Sequence, residues 1–260
     1  KTFKINHNIR QALFVYKIGS IQKTMTEVGL NRELEIRRGA YISALFNAGS
    51  IKIATASDNL FKLKSGQESW IYIDHGDALC QPSTERPFIE AIGTIIENSF
   101  SNENVVLLNL ASKSSPHVTG AVAFRNDCRQ IIVSPEAVAD AERGTNRNVR
   151  LPNILKGEDI LVVVDDVLTS GETLKRGLKI ARNALRDRLG DGADKLASHL
   201  VVGINRATPE TIEILKQEGI TITSLASIEE IITIIWQKLT PKQQAGLLGE
   251  FPMLSQRIGE

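Results

Sequence analysis

Residues 160–173 read ILVVVDDVLTSGET, and this stretch decides the fold of the chain. Its five leading residues are apolar and mostly β-branched, which predicts a strand buried on both faces, as in a parallel sheet. The acids Asp165 and Asp166 are predicted to end this strand, and a helical pattern begins at about Glu172. Because ionised carboxylates are costly to bury without partners, a pair at a strand end indicates a cleft.

The turn Thr169-Ser170-Gly171 lies between the two acids and the predicted helix. Its backbone N–H groups and hydroxyls can surround an anion, and the dipole of the following helix favours negative charge there. Acids beside an anion site suit a ligand that has both sugar hydroxyls and a phosphate. The alternative is a solvated strand end that binds no ligand.

This stretch resembles the phosphoribosyl-pyrophosphate (PRPP) motif of the type I phosphoribosyltransferases: a hydrophobic strand, two acids and a Thr/Ser/Gly loop. The resemblance implies that Asp165 and Asp166 hold the ribose 2′ and 3′ hydroxyls during catalysis and hold the cofactor Mg²⁺ through water. It implies that the 5′-phosphate is held by six residues, Leu168, Thr169, Ser170, Gly171, Glu172 and Thr173.

Three other families with acidic strand ends or phosphate loops match the chain less well. A P-loop NTPase needs a G-x-x-x-x-G-K-[ST] loop upstream of the acids, and the sequence has none. A response-regulator receiver has its acidic pair near the start of the domain and a phospho-acceptor Asp on a later strand. The later strand predicted here, Leu200 to Asn205, ends without an Asp, and no G-x-G-x-x-G follows a strand.

Strands and helices alternate from about residue 87 to residue 225, which predicts an α/β fold with a parallel sheet flanked by helices. Ligands of such sheets bind beyond the carboxyl ends of the strands. The resemblance covers roughly residues 41–235 and implies the type I phosphoribosyltransferase fold with a small hood hairpin. We expect an N-terminal extension of unknown role (1–40), the phosphoribosyltransferase domain with its hood (41–239) and a C-terminal helical tail (240–260).

Several elements have recognisable ends. Tyr41 to Ala48 is predicted to be a helix with Gly49 as its C-cap, and Pro87 to Phe100 a helix with Pro87 near its first position. Leu60–Leu63 and Trp70–Asp74 are predicted to pair as a hairpin around Ser65-Gly66. The tail is predicted to begin with Thr240 as N-cap and Pro241 at the first helical position.

Three further segments resemble the orotate phosphoribosyltransferases in particular. In the hood segment FKLKSGQES at residues 61–69, the resemblance implies that Lys64 reaches the substrate. Residues 111–116, ASKSSP, resemble the pyrophosphate loop, with Lys113 as a catalytic cation and Ser112 and Ser114 as binding residues. Arg206 follows the strand Leu200 to Ile204, and the resemblance implies that it recognises the carboxylate of the base. An Arg fork suits bidentate pairing with a carboxylate, whereas the alternative is a surface salt bridge.

One loop departs from the orotate pattern. Orotate enzymes have a flexible loop with Arg, several Lys and a His-Gly, whereas residues 137–147 here read AVADAERGTNR. Arg143-Gly144 stands where His-Gly is expected, which makes Arg143 a candidate catalytic residue. Arg147 and Arg150 are further sources of positive charge, and a solvated loop is the alternative.

Composition excludes several classes of protein. The 260 residues have a net charge of +1 and no long block of like charge, so neither nucleic acid nor a membrane surface is an expected partner. The two cysteines, Cys80 and Cys128, are too few for a disulfide framework and are expected to be buried thiols in a cytoplasmic, reducing compartment. No apolar run reaches the roughly 18 residues that span a membrane.

Three functions stay open on the sequence. The first is transfer of the phosphoribosyl group from PRPP to orotate by a homodimer with shared active sites, as the resemblance implies. The second is a phosphoribosyltransferase for another base. The third is a PRPP-binding regulator with weak or no catalysis, which the loss of the loop lysines favours.

Overall fold

The computed structural model describes residues 25–63, 66–100, 104–110, 115–134, 137 and 148–258. The strands are β1 Ile51–Ile53, β2 Phe61–Lys62, β3 Glu68–Ser69, β4 Ile71–Ile73, β5 Val105–Asn109, β6 Arg129–Val133, β7 Val149–Arg150, β8 Ile160–Leu168, β9 Ser198–Asn205 and β10 Ile220–Ser227. The α-helices are α1 Met25–Asn47, α2 His75–Leu79, α3 Pro82–Ser99, α4 Ser115–Arg125, α5 Glu172–Leu189, α6 Pro209–Gln217, α7 Ile228–Ile235, α8 Pro241–Glu250 and α9 Leu254–Ile258. Short 3₁₀ helices follow α5 and α7, at Gly190–Lys195 and Trp236–Lys238.

Six strands form the main sheet in the order β10-β9-β8-β5-β6-β7. Neighbouring strands are parallel except for β6 and β7, which are antiparallel. Helices α4, α5 and α6 connect successive parallel strands, so the predicted α/β fold with a parallel sheet is confirmed.

Strand β8 is buried on both faces of the sheet. Val162 and Val164 face one hydrophobic cluster, which also contains Tyr41 and Phe88. Leu161 and Val163 belong to a second cluster, with residues of α5. This double burial explains the continuous apolar run, because each face of the strand packs against a helical layer.

The two acids do not end β8 as predicted. The strand continues to Leu168, and its partner β9 pairs with it as far as Asn205. The acids therefore mark where the side chains become half-buried, whereas backbone pairing extends two residues beyond Asp166 to the buried Leu168.

The hood consists of two small antiparallel pairs of strands, β2 with β3 and β1 with β4. Part of the predicted strand pairing is wrong. The strand Phe61–Lys62 pairs with Glu68–Ser69 around the Gly66 turn. Ile71–Ile73 pairs instead with Ile51–Ile53, which precedes the hairpin in the chain. The local turn signal located the hairpin, but it could not identify a strand partner 20 residues away.

Two helices begin earlier than predicted. Helix α1 starts at Met25, crosses the proposed domain boundary at residue 40 and ends at Asn47, two residues before the left-handed Gly49. There the N–H of Ser50 donates to the carbonyl of Leu45, as in a Schellman motif. Helix α3 starts at Pro82, so Pro87 lies inside it rather than at its first position. The division into three segments stays a prediction.

The C-terminal tail forms the predicted helix and packs on the hood. Thr240 is the N-cap of α8 in a capping box with Gln243, and Pro241 is its first residue. Gly246 lies so close to the Trp70 ring that an added Cβ would stand 2.1 Å from the indole. Helix and ring therefore require glycine at this crossing.

The two cysteines differ in environment. Cys80 is exposed, so its predicted burial is wrong, because it follows the short α2 at the surface. Cys128 is half-buried, and burial raises the pKa of its thiol to about 11. Among the described residues, no helix has the length and apolarity needed to cross a membrane.

Candidate active site

Asp165 and Asp166 lie on β8 near its carboxyl end, and both side chains are half-buried. Oδ1 of Asp165 accepts the N–H of Asp166 at 3.0 Å, and Oδ1 of Asp166 accepts the N–H of Val167 at 2.9 Å. Successive strand residues point to opposite faces of a sheet. The two carboxylates are thus positioned by the backbone on either side of one strand.

The turn after β8 leads directly into α5. Gly171 is buried, has a φ of +72° and precedes the first residue of the 18-residue helix. Thr169 and Ser170, which precede Gly171, are exposed, and so are Glu172 and Thr173, which follow it. Leu168 is buried. The left-handed glycine turns the chain so that hydroxyls lie in front of the helix N-terminus, an arrangement that suits an anion.

Arg206 lies beside this turn, at the end of the neighbouring strand. Its N–H donates to the carbonyl of Leu168 at 2.9 Å. Its guanidinium is 8% exposed and pairs with Glu250 at 2.9 Å. The same group donates to the carbonyl of Ile71 at 3.0 Å and to the hydroxyl of Ser69. The structure thus brings Arg206 to the edge that carries the two acids, but in contact with the hood and tail.

Five predicted site residues lie outside the described residues: Lys64, Ser112, Lys113, Ser114 and Arg143. Arg147 does too, whereas Arg150 is exposed on β7. Strand β5, which precedes residues 111–114 in the chain, lies next to β8 and ends at the same edge of the sheet. The roles of these residues stay predictions.

Sequence reasoning missed a buried pair next to Asp166. The hydroxyl of Tyr41 and Nε2 of His75 are 2.7 Å apart, and both side chains are at most 2% exposed. Burial raises the pKa of Tyr41 well above its ordinary value, and the charge of Asp166 raises it further. No hydrogen-bond partner of His75 Nδ1 is found in the part of the chain that the structure describes. A single His after a strand gave no signal of this contact.

Comparison with known proteins supports the fold. No protein-family model and no curated protein sequence matches the chain. Among solved structures, UMP synthase of Leishmania donovani aligns with a TM-score of 0.60 and 19% identity, over 83% of this chain and 42% of that one. Orotate phosphoribosyltransferase of Aeropyrum pernix aligns with a TM-score of 0.53 and 21% identity, over 74% of this chain and 96% of that one. Orotate phosphoribosyltransferase of Francisella tularensis aligns with a TM-score of 0.55 and 15% identity, over 80% of this chain and 96% of that one.

The chain has the type I phosphoribosyltransferase fold. It spans less than half of the UMP synthase chain but nearly the full length of the two orotate phosphoribosyltransferases. At identities of 21% or less, these alignments establish the architecture, and the activity has to be argued from the site itself.

Within the phosphoribosyltransferase fold, the two aspartates fit a magnesium ion. Mg²⁺ keeps several waters and is commonly held by one or two carboxylates together with substrate oxygens, so a dedicated protein cage is not required. Asp165 and Asp166 supply two half-buried carboxylates at the ligand-binding edge. No cluster of three or more His, Cys, Asp or Glu that could hold a metal occurs among the described residues.

Burial of His75 predicts a loss of stability in mild acid. Burial lowers its pKa to about 4 from 6.5, against opposing effects of Asp166 and Asp74. Because the unfolded chain binds this proton more readily, stability should fall as the pH drops through the window from 6.5 to about 4. We expect the free energy of unfolding to decrease by about 2 kcal/mol between pH 7 and pH 5.

Urea unfolding of His75→Gln, which can still hydrogen-bond Tyr41, should show less of this decrease. The matched control is His117→Gln, because His117 is exposed. If His75→Gln and the wild type lose equal stability over this pH range, the neutral state of His75 is not the cause.

Proposed function

We propose that this protein transfers the 5-phosphoribosyl group from PRPP to orotate, with orotidine 5′-phosphate and pyrophosphate as products. The observation that carries this proposal is the position of Asp165, Asp166 and the 168–173 turn at the ligand-binding edge of a phosphoribosyltransferase fold. Two carboxylates beside an anion site match the two parts of a phosphorylated ribose.

In the proposed reaction, the bond from C1′ to the pyrophosphate oxygen breaks and a bond from C1′ to N1 of orotate forms. Asp165 and Asp166 orient the ribose hydroxyls, and the hydroxyls and N–H groups of the turn hold the 5′-phosphate. Asp165 and Asp166 would hold magnesium, which would supply positive charge against the negative charge on the departing pyrophosphate. Lys113 and Arg143 would contribute positive charge to the same group. Orotate N1 is acidic enough to need no strong general base.

Arg206 is the proposed partner of the orotate carboxylate, with Lys64 as a second base-binding residue. Replacement of Arg206 by Ala should raise the KM for orotate at least about tenfold, because a charge-assisted bidentate pair is lost. The KM for PRPP should stay within about twofold, since the ribose and phosphate sites are unchanged. Equal effects on both constants would contradict the carboxylate role.

The direct test is consumption of orotate, followed by ultraviolet absorbance, with purified protein, PRPP and magnesium. We expect loss of orotate that requires all three components. No loss, together with tight PRPP binding by calorimetry, would exclude orotate transfer and leave two alternatives: a PRPP-binding regulator or a phosphoribosyltransferase with another acceptor.

A phosphoribosyltransferase for another base is the second candidate. The contact that favours it is the ion pair of Arg206 with Glu250, because the guanidinium is already paired within the chain. Assays with uracil and other bases that lack a carboxylate separate the two proposals. For either reaction, we propose a cytoplasmic homodimer.

A further inference from the structure

Three donors converge on the carboxylate of Glu250, the last residue of α8. Oε1 accepts Nη2 of Arg206 at 2.9 Å and the Ser69 hydroxyl at 2.6 Å. Oε2 accepts the backbone N–H of Trp70 at 2.7 Å. A guanidinium, a hydroxyl and a backbone N–H around one carboxyl group constitute a complete carboxylate-binding site.

This carboxylate site is buried and built from separate parts of the fold. Ser69 is fully buried, the side chain of Arg206 is 8% exposed and that of Glu250 is 22% exposed. Arg206 comes from the end of β9, next to the carboxyl end of the strand that carries the two acids. The Phe251 ring lies 5.8 Å from the Arg206 guanidinium and shields it further.

The helix itself gains little from an acid at this position. Negative charge near the C-terminus of a helix is disfavoured by the helix dipole, and Glu250 is the last residue of α8. Its carboxylate is therefore stabilised mainly by the hood and by Arg206. That makes Glu250 an occupant of the site rather than a cap of its own helix.

We propose that Glu250 is an internal substitute for the carboxylate of the acceptor base, and that the base displaces it from Arg206, Ser69 and Trp70. This inference rests on the proposed function, because it requires an acceptor with a carboxylate. The exchange keeps the desolvated guanidinium paired in both states, which avoids the cost of a buried unpaired charge. The tail thus competes with the base for one site.

The remaining contacts of α8 are compatible with such an exchange. Besides Glu250, side-chain hydrogen bonds join Gln243 to the carbonyl of Ala54 at 3.1 Å and Gln244 to that of Trp236 at 3.0 Å. One residue of the helix, Leu247, is buried. Leu247 belongs to the main hydrophobic cluster and Gly246 packs on Trp70, so these contacts keep α8 in place while the Glu250 side chain at its end is displaced. Loss of the Glu250 anchor should still weaken the helix locally.

Glu250→Gln tests the competition in the full-length protein. The single amide oxygen of Gln can still accept the N–H of Trp70, so this hood contact persists. The amide nitrogen then replaces the oxygen that accepts from Arg206 and Ser69, and the charge is lost. We expect the KM for orotate to fall at least about fivefold, with kcat and the PRPP KM within about twofold. Glu213→Gln, at an exposed position on α6, is the control and should change none of these constants.

Coupling to Arg206 separates competition from a general effect on the tail. In an Arg206→Ala background, Glu250→Gln should have no effect on the orotate KM, because the contested group is absent. If Glu250→Gln leaves the orotate KM unchanged or raises it while the wild type consumes orotate, the inference is wrong and the proposed function stands. If neither the wild type nor Glu250→Gln consumes orotate, the inference and the proposed function are both wrong.

Amide hydrogen exchange of α8 distinguishes displacement of Glu250 from a purely structural ion pair. If the ion pair is purely structural, the exchange rates should not depend on whether the bound nucleotide carries a carboxylate. Saturating orotidine 5′-phosphate, which carries the carboxylate, should accelerate amide exchange of residues 241–250. Uridine 5′-phosphate lacks the carboxylate and should not. Equal exchange with the two nucleotides would overturn the displacement of Glu250.

Discussion

Asp165→Asn should lower kcat for phosphoribosyl transfer at least about 100-fold, the size expected for loss of one preorganised electrostatic group. The amide keeps the shape of the side chain but removes the negative charge that we propose orients the ribose and holds magnesium. Because Asp165 is half-buried and Asn can accept the same backbone N–H, the fold should persist. Steady-state orotate consumption measures the effect.

Asp187→Asn is the matched control, because Asp187 is exposed on α5, far along the helix from the turn. Its kcat should equal that of the wild type. Circular dichroism and thermal unfolding would verify that both variants fold. Unchanged turnover in Asp165→Asn would remove the basis for placing the ribose at this strand end.

Arg129→Met should destabilise the protein by about 3–5 kcal/mol, because it leaves a buried carboxylate without its partner. The side chain of Asp159 is 1% exposed and pairs with two nitrogens of Arg129, at 2.7 and 3.0 Å. Asp159 also accepts the N–H of Lys156 at 2.8 Å, immediately before β8. The pair therefore links the segment before β8 to the start of β6, across the intervening strand β5.

Chemical unfolding in urea measures this effect, with Arg186→Met as the comparison. Arg186 makes a similar pair with Asp194, but the two side chains are 51% and 48% exposed. Its loss should cost about 1 kcal/mol or less. Similar costs for the two variants would mean that burial does not determine the contribution of the Arg129 pair.

The main sheet was predictable because its inner strands β5, β8 and β9 are buried on both faces. Residues 160–164 show this as an uninterrupted apolar run, and the turn at Gly171 marks the start of α5. These are local signals, in which side-chain pattern and turn chemistry agree with the final structure. The phosphoribosyltransferase fold could therefore be predicted from residues 160–173 and their resemblance to the PRPP motif.

The parts that escaped prediction depend on contacts between distant residues. Arg206 and Glu250 are 44 residues apart, and Tyr41 and His75 are 34 apart. In neither case does a local pattern indicate the partner. The pairing of β1 with β4 likewise follows from tertiary packing, because both strands are only three residues long and give weak periodicity.

The hood strands are two or three residues long, too short to be stable without support. Part of that support comes from α8, through Gly246 against Trp70 and Glu250 against Ser69. We therefore infer that hood and tail open together, as one unit of partial unfolding with a lower free energy than the sheet. That unit joins segments separated by most of the chain. Their cooperative opening therefore depends on contacts in the folded structure and is not indicated by their positions in the sequence.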